Sequence, residues 1–203
     1  MKCNVVIIDH GVGNLRSVEK ALASVGANVV LSNDLDTIMS ADKVVLPGVG
    51  AFGDCMNGLQ DIGASELVCS LAFKKPLLGI CVGMQMFFEY SDELGVNKGL
   101  GILPGIVTRF NDTSVRVPHT GWNQVDIRSN NILLDGISTG SYAYFNHSYY
   151  CVPNDLDDVV SDTEYGDVFC SVVGRGNLYG IQCHPEKSQD VGLQILQNFV
   201  EKG

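Results

Sequence analysis

The chain has 203 residues, 45% of them hydrophobic and 18% charged, with a net charge of −10. That is enough sequence for one good core, and the expected organisation is a single domain over 1–203. The acidic balance, with no cluster of Lys or Arg to offset it, argues against nucleic acid as a partner. No apolar run nears the roughly 20 residues that span a bilayer, so no membrane partner is expected and a cytoplasmic location is.

The first third alternates strand and helix signals. The opening run "NVVIID" reads as a buried strand that an aspartate ends, rather than as a signal peptide. "NLRSVEKALASVG" carries Leu15, Val18, Leu22 and Val25 at helical spacing, with Gly26 as a stop. "NVVLS" and "KVVLPG" read as the second and third strands. "MNGLQDIGASELVCSLAFKK" is helical in places with glycine breaks, "PLLGI" is a fourth strand, and "GMQMFFEYS" opens another helix. Apolar strands alternating with helices predict a mostly parallel sheet covered on both faces, a flavodoxin-like α/β core.

From about Gly101 to Asp167 the pattern changes to short β-rich runs, "GIVTRF", "SVRVPHTGWNQVDI" and "SYAYFNHSYYCV". These predict antiparallel strands added to the parallel sheet. The strands "VFCSVVG" and "LYGIQC" follow, then a closing helix from about Gln189 to Lys202.

Ligands of such sheets gather at the C-terminal ends of the parallel strands, which singles out "DHGVGN", "PGVGAFG", "CVGMQ" and "HPEKS". Neither glycine-rich loop has the pattern of a phosphate or dinucleotide site. Seven cysteines are present, Cys3, Cys55, Cys69, Cys81, Cys151, Cys170 and Cys183. An odd number without CxxC spacing argues against a disulfide framework or a structural zinc and for reduced thiols, most of them small buried hydrophobes. No metal-ligand spacing is present, and neither a metal nor an organic cofactor is expected.

Gly79-Ile80-Cys81-Val82-Gly83 differs, because it has the G-x-S-x-G spacing of a nucleophile elbow with sulfur in place of oxygen. At the start of a helix, free N–H groups and the helix dipole favour a thiolate, and the backbone N–H of Val82 faces an oxyanion. His184 and Glu186 in "QCHPEKS" are two residues apart, which on extended chain puts both on one side. They supply the base and its orienter, with Cys183 turned to the core.

The set "PGVGAFGD", "GICVGMQ", "PHTGWN", "NHSYY" and "QCHPEKS" occurs in the order seen in the class I (triad) glutamine amidotransferases. With "IDHGVGNLRSV", it resembles in particular the glutaminase subunits of imidazole glycerol phosphate synthases, in histidine biosynthesis. The resemblance runs from about Val5 to Phe199. It implies L-glutamine as substrate, Cys81 as nucleophile, His184 as general base and Glu186 as orienting acid. It implies Gly50 and Val82 as backbone oxyanion positions, and Gln85, His147, Ser148 and Tyr149 as glutamine-binding residues. It also implies a (β/α)8-barrel synthase as heterodimer partner, faced by Asn14, Trp122, Tyr144 and Lys187, with ammonia passed to the barrel to make imidazole glycerol phosphate and AICAR.

The sequence departs from the family pattern at His10, Val82, Asn146 and Cys183, where tyrosine, leucine, valine and phenylalanine are usual. Asn146 and Cys183 are expected to alter packing behind the triad or at the partner face. The alternatives left open are a paralogous glutaminase feeding another synthase (sugar amidination for surface polysaccharide, or pyridoxal phosphate synthesis), a related cysteine hydrolase, and a non-catalytic protein of the same fold. His119 is expected to be structural or interfacial, and Trp122 either a core anchor or a partner contact.

Overall fold

The computed structural model describes residues 2–203. Strand β1 (Asn4–Ile8) leads through helix α1 (Leu15–Ser24) to β2 (Asn28–Ser32), α2 (Leu35–Ser40), β3 (Lys43–Gly48), α3 (Phe52–Asp61), α4 (Ser65–Leu71), β4 (Leu77–Cys81) and the single turn α5 (Val82–Gln85). Two short strands, β5 (Tyr90–Ser91) and β6 (Asn97–Lys98), precede β7 (Gly105–Arg109), β8 (His119–Ile127), β9 (Ser141–His147), β10 (Tyr149–Pro153), β11 (Val159–Tyr165), β12 (Asp167–Arg175) and β13 (Leu178–Ile181). Helix α6 (Gln189–Lys202) closes the chain.

One continuous sheet runs in the order β2-β1-β3-β4-β13-β12-β10-β7-β5-β6. Its first five strands are parallel, and β12, β10 and β7 continue it with antiparallel pairings. A branch leaves through β11, which pairs with β12 and with β8, and β8 pairs with β9. Strands β3, β4 and β13 are buried along their whole length, because helices cover both faces and an apolar residue is favoured at every position. Among the described residues, no helix is long and apolar enough to cross a membrane.

The closing helix is tied back to the sheet. Lys43 is buried at the start of β3, and its ammonium donates to the carbonyl of Phe199 at 2.8 Å and to that of Gly203. A cation at a helix C-terminus satisfies carbonyls that have no intrahelical partner. Phe199 itself is fully buried and packs edge-on against Tyr179 of β13.

Two sequence expectations change. The helix expected from "GMQMFFEYS" ends at Gln85. The carbonyls of Met86, Phe87, Phe88 and Glu89 accept instead from the backbone of Gly99 to Leu103, so a long-range loop takes the bonds a helix would need. The strand expected in "SVRVPHTGWNQVDI" begins only at His119. Two elements lacked a clear signal, helix α2, which Asp34 caps by accepting from the Thr37 N–H at 2.8 Å, and strand β11.

The crossing of β3 over the β4–α5 turn positions everything that follows. Gly48 lies opposite Cys81 in the β3–β4 register. A Cβ on Gly48 would stand 2.8 Å from the backbone nitrogen of Gly83, and one on Gly83 would overlap the Leu46 backbone. We therefore expect Gly83→Ala to cost about 1–3 kcal/mol through backbone overlap, read as a lower urea midpoint with an unchanged slope. A midpoint equal to that of the native chain would contradict the close approach.

Candidate functional site

Strand β4 delivers Cys81 at φ 55°, ψ −112°, a left-handed backbone angle that non-glycine residues seldom adopt. Glycines on either side make this possible. A Cβ on Gly79 would meet the carbonyl oxygen of Gly83 and the nitrogen of Met84 at 2.7 Å. Helix α5 is a single four-residue turn, so the dipole expected behind the thiol has little length to act over. The local field at the sulfur comes from its neighbours.

The first neighbour is His184. Its backbone N–H donates to the Tyr144 carbonyl at 2.8 Å. The Ser188 hydroxyl donates to the His184 carbonyl at 2.7 Å and accepts from the Tyr144 N–H at 2.9 Å. This pins the end of β13 to β9. The His184 Nδ1 stands 3.0 Å from Glu186 Oε1, and both side chains are buried. The pairing does not come from extended chain, as the sequence suggested. Pro185–Lys187 is a 3-10 turn, and the turn brings the carboxylate back to the ring. Burial works against a charged ring, but hydrogen bonds to Cys81 and Glu186, and the charges of both, outweigh it and raise His184 to about 10. The ring is thereby disposed to hold its proton beside the Cys81 sulfur.

These groups open onto a cavity of about 450 Å3, within the usual range for small-molecule sites. Asn14, Val49, Gly50, Cys81, Val82, Gln85, Glu93, Pro118, Asn146, His147, Ser148, Tyr149, His184 and Lys187 line it. Every residue the sequence suggested for the nucleophile, base, oxyanion and glutamine roles borders this space, while Glu186 sits behind His184. Gly50 reaches it with φ 92°, an angle suited to glycine.

Of the four suggested interface residues, Asn14 and Lys187 lie on the cavity wall, whereas Trp122 and Tyr144 do not. Trp122 is 46% exposed, so it is no core anchor. Its ring meets that of Tyr144 edge-on at 6.1 Å, and the Lys187 ammonium lies 5.6 Å from the Tyr144 ring centre. Among the unusual residues, Asn146 is exposed, accepts from the Thr120 hydroxyl at 3.0 Å and faces the cavity, so it does not pack behind the triad. Cys183 does lie in the core, where burial pushes its thiol up to about 12. His10 is buried, and its Nε2 donates to the Pro47 carbonyl at 2.7 Å, at the root of the Val49–Gly50 loop. Cys55, Cys151 and Cys170 are buried as expected, but Cys69 is exposed and Cys3 is half-buried.

Two polar features escaped the sequence. The first is Gln182, fully buried just after β13, whose amide nitrogen lies 3.6 Å from the Cys81 sulfur. The second is a histidine pair created by the β8–β9 register, which sets His119 opposite His147. The His119 Nδ1 is 3.1 Å from the His147 Nε2, and the His147 Nδ1 is 2.8 Å from the Tyr149 carbonyl. A carbonyl only accepts, so His147 donates through Nδ1 and accepts at Nε2. His119 is then the donor to it and itself accepts from the Asn123 amide at 3.3 Å. Both rings are neutral. Burial holds His119 down to about 4 and His147 down to about 3. Only the pairing of 28-residue-distant strands reveals this contact.

Residues 6–202 match the family model described as glutamine amidotransferase class-I. The chain is 46% identical over 202 residues to the imidazole glycerol phosphate synthase subunit HisH of Syntrophotalea carbinolica, covering 96% of this chain and 98% of that protein. It is 47% identical over 199 residues to the protein of the same name from Aquifex aeolicus, covering 97% and 96%. Among solved structures, a putative GMP synthase subunit from Thermoplasma acidophilum superposes with a TM-score of 0.74 at 19% identity, over 98% of this chain and 93% of that one. PurLQS from Thermotoga maritima superposes with a TM-score of 0.74 at 20% identity, over 98% of each chain. At those identities the two structures speak for the fold.

The neutral histidine pair sets an acid limit. Unfolded imidazoles titrate near about 6.5, and the folded ones near 4 and 3. Between these values the unfolded chain binds more protons, so stability is full above about pH 6.5 and falls as pH drops towards 4. We expect the melting temperature to fall through that window, and the NMR signals of both rings to stay in the neutral form down to about pH 5. A ring signal titrating near pH 6.5 would contradict the assignment.

Proposed function

We infer the function of this chain from a premise its sequence and fold establish: it belongs to the class-I glutamine amidotransferases, and it is an enzyme of that family. We propose that it works as a single catalytic domain, the glutaminase subunit of an imidazole glycerol phosphate synthase in histidine biosynthesis. The observation that carries the reading is that Cys81 and His184 border one cavity, with Glu186 bonded to His184 from behind, in a chain nearly half identical to such subunits along its length.

The chemistry follows from the geometry. The Cys81 thiolate attacks the side-chain amide carbon of L-glutamine. The backbone N–H of Val82, together with the Gly50 loop, receives the negative charge on the oxygen. The imidazolium of His184, held by Glu186, gives its proton to the departing nitrogen, and ammonia leaves a γ-glutamyl thioester on Cys81. Now neutral, His184 takes a proton from water, which attacks the thioester carbon and releases glutamate. The thiolate and imidazolium are restored. Each turnover consumes one water and yields one glutamate and one ammonia, with no other reactant.

Gln85 spends both amide hydrogens on protein, one on the Tyr149 carbonyl at 3.0 Å and one on Gln182 Oε1 at 3.1 Å. Its carbonyl oxygen is therefore what it offers the substrate, and it accepts from the glutamine ammonium. Tyr149 and Ser148 contribute backbone groups from the cavity wall. Asn14 and Lys187 on the wall, with Trp122 and Tyr144 beside them, form the face for a (β/α)8-barrel partner, and ammonia leaves through that face to the acceptor. The enzyme works in the cytoplasm.

Cys81→Ala should abolish glutamate release from glutamine, while the complex with the partner synthase, supplied with ammonium salts, still makes imidazole glycerol phosphate and AICAR. Residual glutamine hydrolysis by the variant would remove Cys81 as nucleophile. A complex that forms no such product from ammonia would instead place the chain with another synthase. The lone chain should also be a poor glutaminase that its partner accelerates, because a glycine-rich oxyanion loop can rest in an unproductive state. High activity of the isolated chain, unchanged on adding the partner, would contradict that coupling.

A further inference from the structure

We propose that Gln182 is a catalytic residue of this site, whose side-chain N–H donates to the Cys81 sulfur and stabilises its thiolate, with Gln85 fixing the direction in which that donor points. The inference rests on Cys81 being the nucleophile.

An amide side chain can present either its nitrogen or its oxygen to a neighbour. Here the direction is determined from a fixed end. The Tyr149 carbonyl can only accept, and it receives the Gln85 amide nitrogen at 3.0 Å as well as His147 Nδ1 at 2.8 Å. With its nitrogen so placed, Gln85 sends its second hydrogen to Gln182 at 3.1 Å, and the Gln182 atom there must be the oxygen. The Gln182 nitrogen is then the end that faces the sulfur, at 3.6 Å. The opposite orientation would set two N–H groups against each other at Gln85 and a carbonyl oxygen against a thiolate. The direction of the Gln182 donor thus follows from the β9–β10 corner, where the neutral histidine pair also bonds.

The amide is more than filler. Gln182 is 0% exposed and does not border the cavity, so it has no reach to the substrate. A buried amide costs stability unless its groups are bonded, and an apolar side chain of similar length would fill the space. What only the amide supplies is a hydrogen for the sulfur. A bond to an ionised acceptor is roughly twice as strong as one to a neutral acceptor, so it favours the thiolate over the thiol. The other titratable groups around the sulfur are His184 and the thiols of Cys55, Cys151 and Cys183, with Glu93, His147 and Lys187 on the walls of the same cavity. Burial raises all three thiols, so they remain protonated and add no charge. Gln182 and His184 therefore hold the thiolate from two sides, one by hydrogen bond and one by charge.

The test is the pH dependence of alkylation. The native chain and two variants, Gln182→Met and Gln182→Leu, are treated with iodoacetamide across a pH series. Labelling of the Cys81 peptide is followed by mass spectrometry beside residual glutaminase activity. Gln182→Met should raise the apparent pKa of Cys81 labelling by about one unit, and lower kcat about tenfold with KM within about twofold, the size expected for one hydrogen bond to a charged group. Gln182→Leu also removes the hydrogen, fills most of the space and puts no charge beside the sulfur. It should shift the profile as far, and it carries the test if the methionine variant fails to fold. A folded variant whose labelling profile coincides with the native one overturns the assignment, whatever its melting temperature. If the native chain keeps its activity with Cys81 fully labelled, the nucleophile reading fails first.

Discussion

The site depends on one steric constraint, the passage of β3 across the β4–α5 turn with no room for side chains between them. Gly48, Gly79 and Gly83 stand where a Cβ would press into backbone. That contact holds Cys81 at a positive φ, outside the regions a cysteine prefers. Strain of this kind costs on the order of 1–3 kcal/mol and persists only when the surroundings over-determine it. Here the surroundings are strands β3, β4 and β13, buried along their whole length. In return Cys81, Val82 and Gly50 border the same cavity.

Around that point the protein buries His184 between Glu186 and the Cys81 sulfur. Isolated charges of this kind would be costly to bury. The imidazolium of His184 is acceptable because Glu186 lies on one side and the Cys81 sulfur on the other, and because the turn at Pro185–Lys187 and the Ser188 hydroxyl leave the ring little freedom. The pair of histidines solves a different problem. His119 and His147 are kept neutral by burial, and their hydrogen-bond direction leads to the Tyr149 carbonyl. The reaction is assigned to Cys81 and His184, whereas the histidine pair is neutral and acts as scaffold.

The sequence made the parallel half legible because its strands are buried on both faces and read as unbroken apolar runs. The helix α1 and the closing helix were legible from their spacing and stops. The elbow and the His-x-Glu pair were legible because each is compact in sequence. What escaped was set by contacts between distant segments. The short helix after Cys81 ends at Gln85 because residues 99–103 take the carbonyls of residues 86–89 that would continue it. The His119–His147 contact exists only once β8 and β9 pair. Gln182 sits one residue from the cysteine that precedes His184, and no local pattern marks its amide as turned towards Cys81. Trp122 could be placed only by its exposure. For the same reason Asn146 lies on the cavity wall rather than behind the triad.

The account turns on the Cys81 sulfur forming a bond to the substrate. The direct measurement is rapid acid quenching of the enzyme during turnover of glutamine, followed by digestion and mass spectrometry of the cysteine peptides. The account predicts a γ-glutamyl group on the peptide that holds Cys81 and on no other, removed by hydroxylamine. Steady turnover with no such adduct, or an adduct on a different cysteine, would contradict it.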